Sequence, residues 1–190
     1  TGAVGNNDYF IWAIARVDTG VTDILFSLSG TAPTMPANYT MKRLIGWFKR
    51  VGGTIVACHV YEGGGGGVDV MWDTPTLDVN LAATLTTARR LDVVKVPLGI
   101  SVRAYLNVNV LDAAANSTSW IYSPDQADLA PSGTAAPLFN AISYNGSISS
   151  NGAQMTIRTD TSGQIAARSN VATVDNYRVV TLGFAWGRRT

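Results

Sequence analysis

The chain has 190 residues, a formal net charge of +1, and apolar and charged fractions of 46% and 14%. A length near 200 residues suits one domain with a sizeable core. Near-zero charge argues against wholesale nucleic-acid binding, which needs a basic face, and no apolar run approaches the ~20 residues of a membrane-spanning helix. The single cysteine, Cys58, has no internal disulfide partner, and one cysteine with one histidine is too few for a His/Cys metal cluster. Low charge is equally usual in assembly subunits and in ordinary β domains. The opening TGAVGNN has no initiator methionine and no basic or apolar leader character, and the chain is expected to be a piece of a longer protein.

Taken in order, Tyr9–Val17 is apolar on both faces, with Phe10, Trp12 and Ile14 against Tyr9, Ile11, Ala13 and Val17. A strand buried on one side only would alternate with polar residues, so this one is central or meets a partner chain. Asp18-Thr19-Gly20 is a turn, and Thr22–Leu28 completes a hairpin in which Ile24 and Phe26 share one face and Asp23, Leu25 and Ser27 the other. Pro33 and Pro36 make Thr31–Thr40 a surface loop. In Met41–Val51, Leu44, Gly46 and Phe48 oppose Arg43, Ile45, Trp47 and Lys49; Gly52-Gly53 turns the chain into Thr54–Tyr61. The five glycines Gly63–Gly67 have the largest backbone entropy to lose and read as a hairpin tip. A phosphate loop would need a following Lys-Ser/Thr or a helix, and VDVMWDTP follows instead, a strand with a proline stop.

Val68–Trp72 is a short strand. Leu77–Leu91 admits a helix, with Leu81, Leu85 and Ala88 at helical spacing, but its paired threonines and the DVVKV that follows favour an extended chain. Ile100–Val110 alternates strictly: Ile100, Val102, Ala104, Leu106, Val108 and Val110 against Ser101, Arg103, Tyr105, Asn107 and Asn109. That period of two is a long half-buried strand. Thr118–Tyr122 follows, then the long loop Ser123–Pro137, of a length that is usually functional. Phe139–Tyr144, Ala153–Thr159, Gln164–Ser169 and Tyr177–Trp186 complete the strands; in the last, Val180, Leu182, Phe184 and Trp186 oppose Tyr177, Val179 and Thr181. The expected fold is all-β: a single antiparallel β-sandwich, jelly-roll-like, of about ten to twelve strands with little or no helix, spanning residues 1–190.

No catalytic constellation stands out. His59, the only histidine, follows Cys58 directly, so on a strand their side chains point to opposite faces and cannot act together. His59 reads as a tucked or hydrogen-bonded strand residue and Cys58 as a buried inert thiol. Asp69, Asp73 and Asp78 lack the spacing of a calcium loop, and with Glu62 the only glutamate a glycosidase carboxylate pair has little support. Five tryptophans and seven tyrosines supply enough aromatic surface for sugar stacking or protein contact. No cofactor or metal is expected.

The segments YFIWAIARVDTGVTDILFSLSGTAPTMPANYTMKRLIGW, VMWDTPTLDV, VPLGISVRAYLNV, YSPDQADLAPS with TAAPL, QIAARS and YRVVTLGFAWGRR together resemble the C-terminal domain of many tailed-phage and prophage virion proteins: tail fibres, tail tips and attachment or decoration proteins. The likeness runs from about Tyr9 to Arg189. It implies a β-sandwich on the virion, a homotrimer at the end of a fibre or spike, without catalytic residues. Such a domain is assembled in the host cytoplasm with other virion proteins and acts at the host surface, on a glycan or a protein. The expected function is non-enzymatic host attachment. The alternatives are a structural trimerisation or decoration domain and, as a minor one, a polysaccharide depolymerase. Binding is expected at the loops, through Thr34, Asn38 and Tyr39, through Gly65, and through Asp125 and Gln126. Self-association is expected through Tyr9, Ile11 and Trp47.

Overall fold

The computed structural model describes residues 4–63, 67–82, 85–112, 116–143, 151–172 and 174–187. Within them the chain forms thirteen strands and no helix. In order these are β1 (Asp8–Ala15), β2 (Thr22–Ser27), β3 (Met41–Val51), β4 (Thr54–Ile55), β5 (Cys58–Glu62), β6 (Gly67–Ala82) and β7 (Arg90–Val93). Then come β8 (Arg103–Leu111), β9 (Thr118–Tyr122), β10 (Asn140–Ser143), β11 (Asn151–Arg158), β12 (Gln164–Ser169) and β13 (Asn176–Gly187). All pair antiparallel, in three sheets ordered β2-β1-β3-β4, β10-β9-β12-β7 and β11-β8-β13-β6-β5. The all-β, antiparallel, sandwich-like fold expected from the alternation is the one formed, with thirteen strands where ten to twelve were counted.

The five-stranded sheet is the main layer, and its inner face is the even-numbered side of β8. Val102, Ala104, Leu106, Val108 and Val110 are all buried, as the strict period of two requires. One contiguous core joins them to Phe10, Trp12, Ile14 and Leu44 of the β1 sheet and to Ile121, Ile165 and Ala167 of the β9 sheet. A smaller cluster of Trp120, Tyr122 and Ala166, with Phe139 and Ala141 against it, lies apart from that core. Trp47 locks the β1 sheet onto the five-stranded one, its ring edge-on to Phe184 at 5.2 Å and to Trp72 at 5.7 Å.

Local chemistry sets the connections. Gly20, at φ 71°, closes the β1–β2 turn, and Gly52 and Gly53, at φ 59° and 81°, turn β3 into β4. Loop 28–40 is not a hairpin tip. β2 and β3 both run antiparallel to β1 on either side of it, so the connection must return along the length of β1. It is pinned on the way: Trp12 Nε1 donates to the Ser29 carbonyl at 3.1 Å, and Thr40 N–H to the Ala15 carbonyl at 3.1 Å.

Several strand assignments are corrected by irregularities that a pattern does not show. Thr54–Tyr61 is two strands in two sheets. Val68–Trp72 and the start of Leu77–Leu91 are one strand, β6, which passes through Pro75. There Met71 faces Gly183 and Thr76 faces Thr181, so the residues between loop away from β13 and Pro75 has no β13 partner to donate to. In β3 an extra residue, Ile45, interrupts the pairing with β1: Ile11 faces Gly46 and Trp12 faces Leu44. Beyond it the parity inverts, so Trp47 points into the core and Phe48 outward, the reverse of the expected faces. In β13 the shift at Leu182 does the same. Tyr177, Val179 and Thr181 are inward before it, and Phe184 and Trp186 after it. Gly183 fits the crossing because a Cβ there would strike the Val70 carbonyl and lie 2.9 Å from Met71 Cα. In β2, Leu25 packs on the core while Ile24 and Phe26 are 57% and 56% exposed.

Candidate binding groove

The polar side of β8 is the outer face of the five-stranded sheet, and register decides what surrounds it. Arg103 faces Arg158 of β11 on one side and Ala185 of β13 on the other; Ala185 in turn faces Asp69 of β6, and Asp69 faces Tyr61 of β5. One step along, Tyr105 faces Thr156 and Gly183. The central strand is thus floored by glycine and alanine between larger neighbours. Tyr105 reaches across this floor and donates its hydroxyl to Asp69 Oδ1 at 2.8 Å. Desolvation, and then the Asp69 carboxylate, push the phenol above its ordinary value, so Tyr105 stays a donor at neutral pH.

Two cavities open here. One of about 660 Å³ is lined by Asp69, Arg103, Tyr105, Arg158 and Ala185 and, where it reaches the end of the sheet, by core residues Leu44, Ile100, Val102 and Trp186. The other, about 450 Å³, continues along the same face between Asn107, Asn109, Gln154, Arg178, Leu77 and Val180. From Arg103 to Asn109 a strand rises about 20 Å at ~3.4 Å per residue, so the groove suits an extended ligand. Arg158 is held by its Nε, which donates to Ser101 Oγ at 2.9 Å; Ser101 donates in turn to the Thr159 carbonyl at 2.5 Å. Arg178 Nε donates to Asn80 Oδ1 at 3.1 Å.

The loop residues chosen from sequence are not gathered at one site. Thr34 and Asn38 are exposed, Asn38 at φ 69° in the turn where Tyr39 N–H donates to the Pro36 carbonyl, and Tyr39 is half-buried against the core. None of the three lines either cavity. Gly65 lies outside the described residues; flanking Gly63 and Gly67 line the first cavity. In loop 123–138, Gln126 spends its amide oxygen on the Ser123 N–H at 3.0 Å, whereas Asp125 approaches Arg158 at 3.7 Å, at the rim of the groove. The loop is tied down by Arg89, which donates to the Pro124 carbonyl at 2.6 Å, and by Asp128, which accepts from Arg168 at 2.8 Å and from Tyr122 at 3.0 Å. Those two bonds outweigh the desolvation that pushes the Asp128 carboxyl up, and hold it below its usual value.

Tyr9 and Ile11 are half-buried on the outer face of the β1 sheet, beside the exposed Ile24, Phe26 and Met41; Tyr9 stacks on Phe48 at 5.1 Å. Trp47, grouped with them from sequence, is on the other side of that sheet.

His59 is not tucked. It sits on the edge strand β5 with Nε2 3.4 Å from Asp73 Oδ1, both side chains more than half exposed. It lines neither cavity. Cys58 is half-buried against the core, and burial pushes its thiol up, away from the reactive thiolate. Among the described residues no three His, Cys, Asp or Glu side chains come together as a metal site, and no helix is long and apolar enough to cross a membrane. Sequence reasoning had Arg103 and Tyr105 on the correct face of β8. It missed their neighbours Asp69 and Arg158, which only strand register brings beside them. The chain matches no protein-family model, no curated protein and no solved structure.

Proposed function

We propose that this is a non-enzymatic domain of a tailed-phage particle that attaches to the host surface, and that it binds with the outer face of its five-stranded sheet rather than with loop tips. One observation carries the reading. The two cavities open along the outer face of one sheet, where arginine, amide and phenol groups suited to hydrogen-bonding a ligand stand beside apolar ones such as Leu77 and Val180. The particle itself is inferred from the sequence resemblance. Purified domain added to host cells should compete with phage for adsorption. Arg103→Ala with Tyr105→Ala should abolish that competition while the protein still melts cooperatively; undiminished competition by the double variant would refute the site.

A second reading, a trimerisation or decoration domain, is favoured by a different surface. Ile24 and Phe26 pair with Ala13 and Ile11 on the outside of the β1 sheet, and Phe48 stands between Tyr9 and Phe26, at 5.1 and 5.8 Å from their rings. A contiguous apolar sheet face of this kind marks a protein contact. On this reading, Phe26→Asp converts an oligomer to a monomer in sedimentation at micromolar concentration. A wild-type chain already monomeric there removes it. The two readings use opposite sides of the sandwich and are compatible in one molecule.

A further inference from the structure

We infer that the mouth of the groove is a carboxylate subsite, in which Arg103 and Arg158 together grip the acid group of an acidic sugar within an extended glycan. The inference rests on the attachment reading above and adds the ligand's chemistry to it. Arg103 and Arg158 are direct cross-strand partners. Like charges in that relation destabilise a sheet, and here no acidic residue stands between them. The nearest carboxylate in the same row, Asp69, is two strands away across Ala185, about 10 Å at ~4.8 Å per strand, and is already engaged by Tyr105. Among the described residues no hydrogen bond or ion pair reaches the Arg103 guanidinium. Arg158 is anchored through Nε to Ser101, which leaves its two terminal nitrogens pointing away from that anchor; its ionic contact, Asp125 at 3.7 Å, is a loose pair between side chains 67% and 59% exposed. Two guanidinium forks side by side over a cavity of about 660 Å³ are what a planar carboxylate binds best. The amides farther along, Asn107 and Gln154, offer the donors and acceptors that sugar hydroxyls need, beside Leu77 and Val180, against which the apolar face of a sugar ring can lie.

The test measures binding of the whole chain to polygalacturonate, alginate, hyaluronan and polysialic acid, to the carboxyl-reduced form of each, and to phosphomannan. At least one acidic polymer is expected to bind ten times or more tighter than its reduced form. Arg103→Ala and Arg158→Ala should each lower that affinity about tenfold or more, as expected for a hydrogen bond to a charged group. Arg103→Lys should recover part of the loss, and Arg43→Ala, which removes the same charge from the β1 sheet, should change it less than twofold. Without ligand, Arg103→Ala should melt at or above the wild-type temperature, because it relieves the repulsion. Equal binding to acidic and reduced polymers would overturn the carboxylate subsite and leave the attachment reading standing. Stronger binding to phosphomannan would reassign the arginines to phosphate. A large loss in Arg43→Ala would reduce the effect to overall charge. Binding to no polymer would refute the subsite, and only combined with failure to compete for adsorption would it refute attachment as well.

Discussion

The inversion at Ile45 makes Trp47 a core residue rather than a surface one, and Trp47→Ala tests it. The indole meets Phe184 at 5.2 Å and Trp72 at 5.7 Å, both edge-on, and it is the main aromatic link between the β1 sheet and the five-stranded sheet. Truncating a buried Trp costs about 3–5 kcal/mol. Because this ring is only half-buried, the low end, about 3 kcal/mol, is the appropriate figure. For a chain of this length each kcal/mol moves the melting temperature about 2–4 °C, so a fall of about 6–12 °C is expected. Phe26→Ala is the comparison, a ring 56% exposed on the opposite side of the same sheet. It should cost about 1 kcal/mol or less in the isolated chain. Melts read by circular dichroism over a hundredfold range of concentration separate the two. The Trp47 loss should be independent of concentration, whereas any part of the Phe26 loss that comes from self-association should vary with it. A Trp47→Ala protein that melts within 2 °C of wild type, or that loses stability only where oligomers form, would mean that Trp47 faces outward and that the bulge is misplaced.

Gly183→Ala should destabilise by about 1–3 kcal/mol or more in a urea titration, because the new methyl meets the Val70 carbonyl and the Met71 backbone, which cannot swing aside as the Met71 sulfur can; an unchanged midpoint would rule out the tight crossing. Burial pushes the Asp78 carboxyl above the usual carboxylate range, ahead of the Thr181 and Lys95 hydrogen bonds that pull it back. Its folded pKa then exceeds its unfolded one, so the stability it contributes is complete below about pH 3.9 and is lost as pH rises through the folded value. Asp78→Asn keeps an acceptor oxygen and loses that dependence. Its melting temperature minus that of wild type should rise from pH 4 to neutral, and a difference that falls or stays level over that range would contradict the burial. Arg168→Ala removes the bonds to Asp128 and to the Thr87 carbonyl. Amide exchange in residues 123–129 should accelerate while the global melting temperature falls by only a few degrees; an unchanged exchange rate would show that the loop is held elsewhere.

Much of this fold was legible because its strands obey one rule for long runs. β8 keeps strict alternation, and every residue expected inside is inside. What failed was parity beyond a bulge. Ile45 and Leu182 are ordinary strand formers, and no residue type marks them as extra; the insertion is visible only from the partner strand. Each one flips the faces of everything after it, which is why Trp47 and the β13 faces were misread. Pro75 failed for a related reason: a proline is barred from a paired position, but β6 loops off β13 at that point. In the functional region the same limit applies. Loop composition singled out Asp125, which does reach the groove rim, yet the groove itself is made by Asp69, Arg103, Tyr105 and Arg158 from three strands spread over ninety residues.

The two outer faces of the sandwich carry opposite chemistry, and the strands that build them differ in the same way. β8 has polar residues on its outward side, as a strand next to water or a hydrophilic ligand should. β1 has Tyr9, Ile11 and Ala13 on its outward side, and its hairpin partner β2 adds Ile24 and Phe26 at the paired positions. Tyr9, Ile11 and Ala13 are half-buried there and Ile24 and Phe26 more than half exposed, so covering what remains wet is favourable at ~25 cal/mol per Å². On the β8 side the exposed apolar residues, Leu77 among them, stand between amides and arginines, so the β1 side suits the protein contact and the β8 side the hydrophilic ligand proposed above. The division is one of density, not of exclusion: Arg43, opposite Ala13, stands on the β1 face, whereas the β8 face sets two arginines, Arg103 and Arg158, opposite each other on one rung.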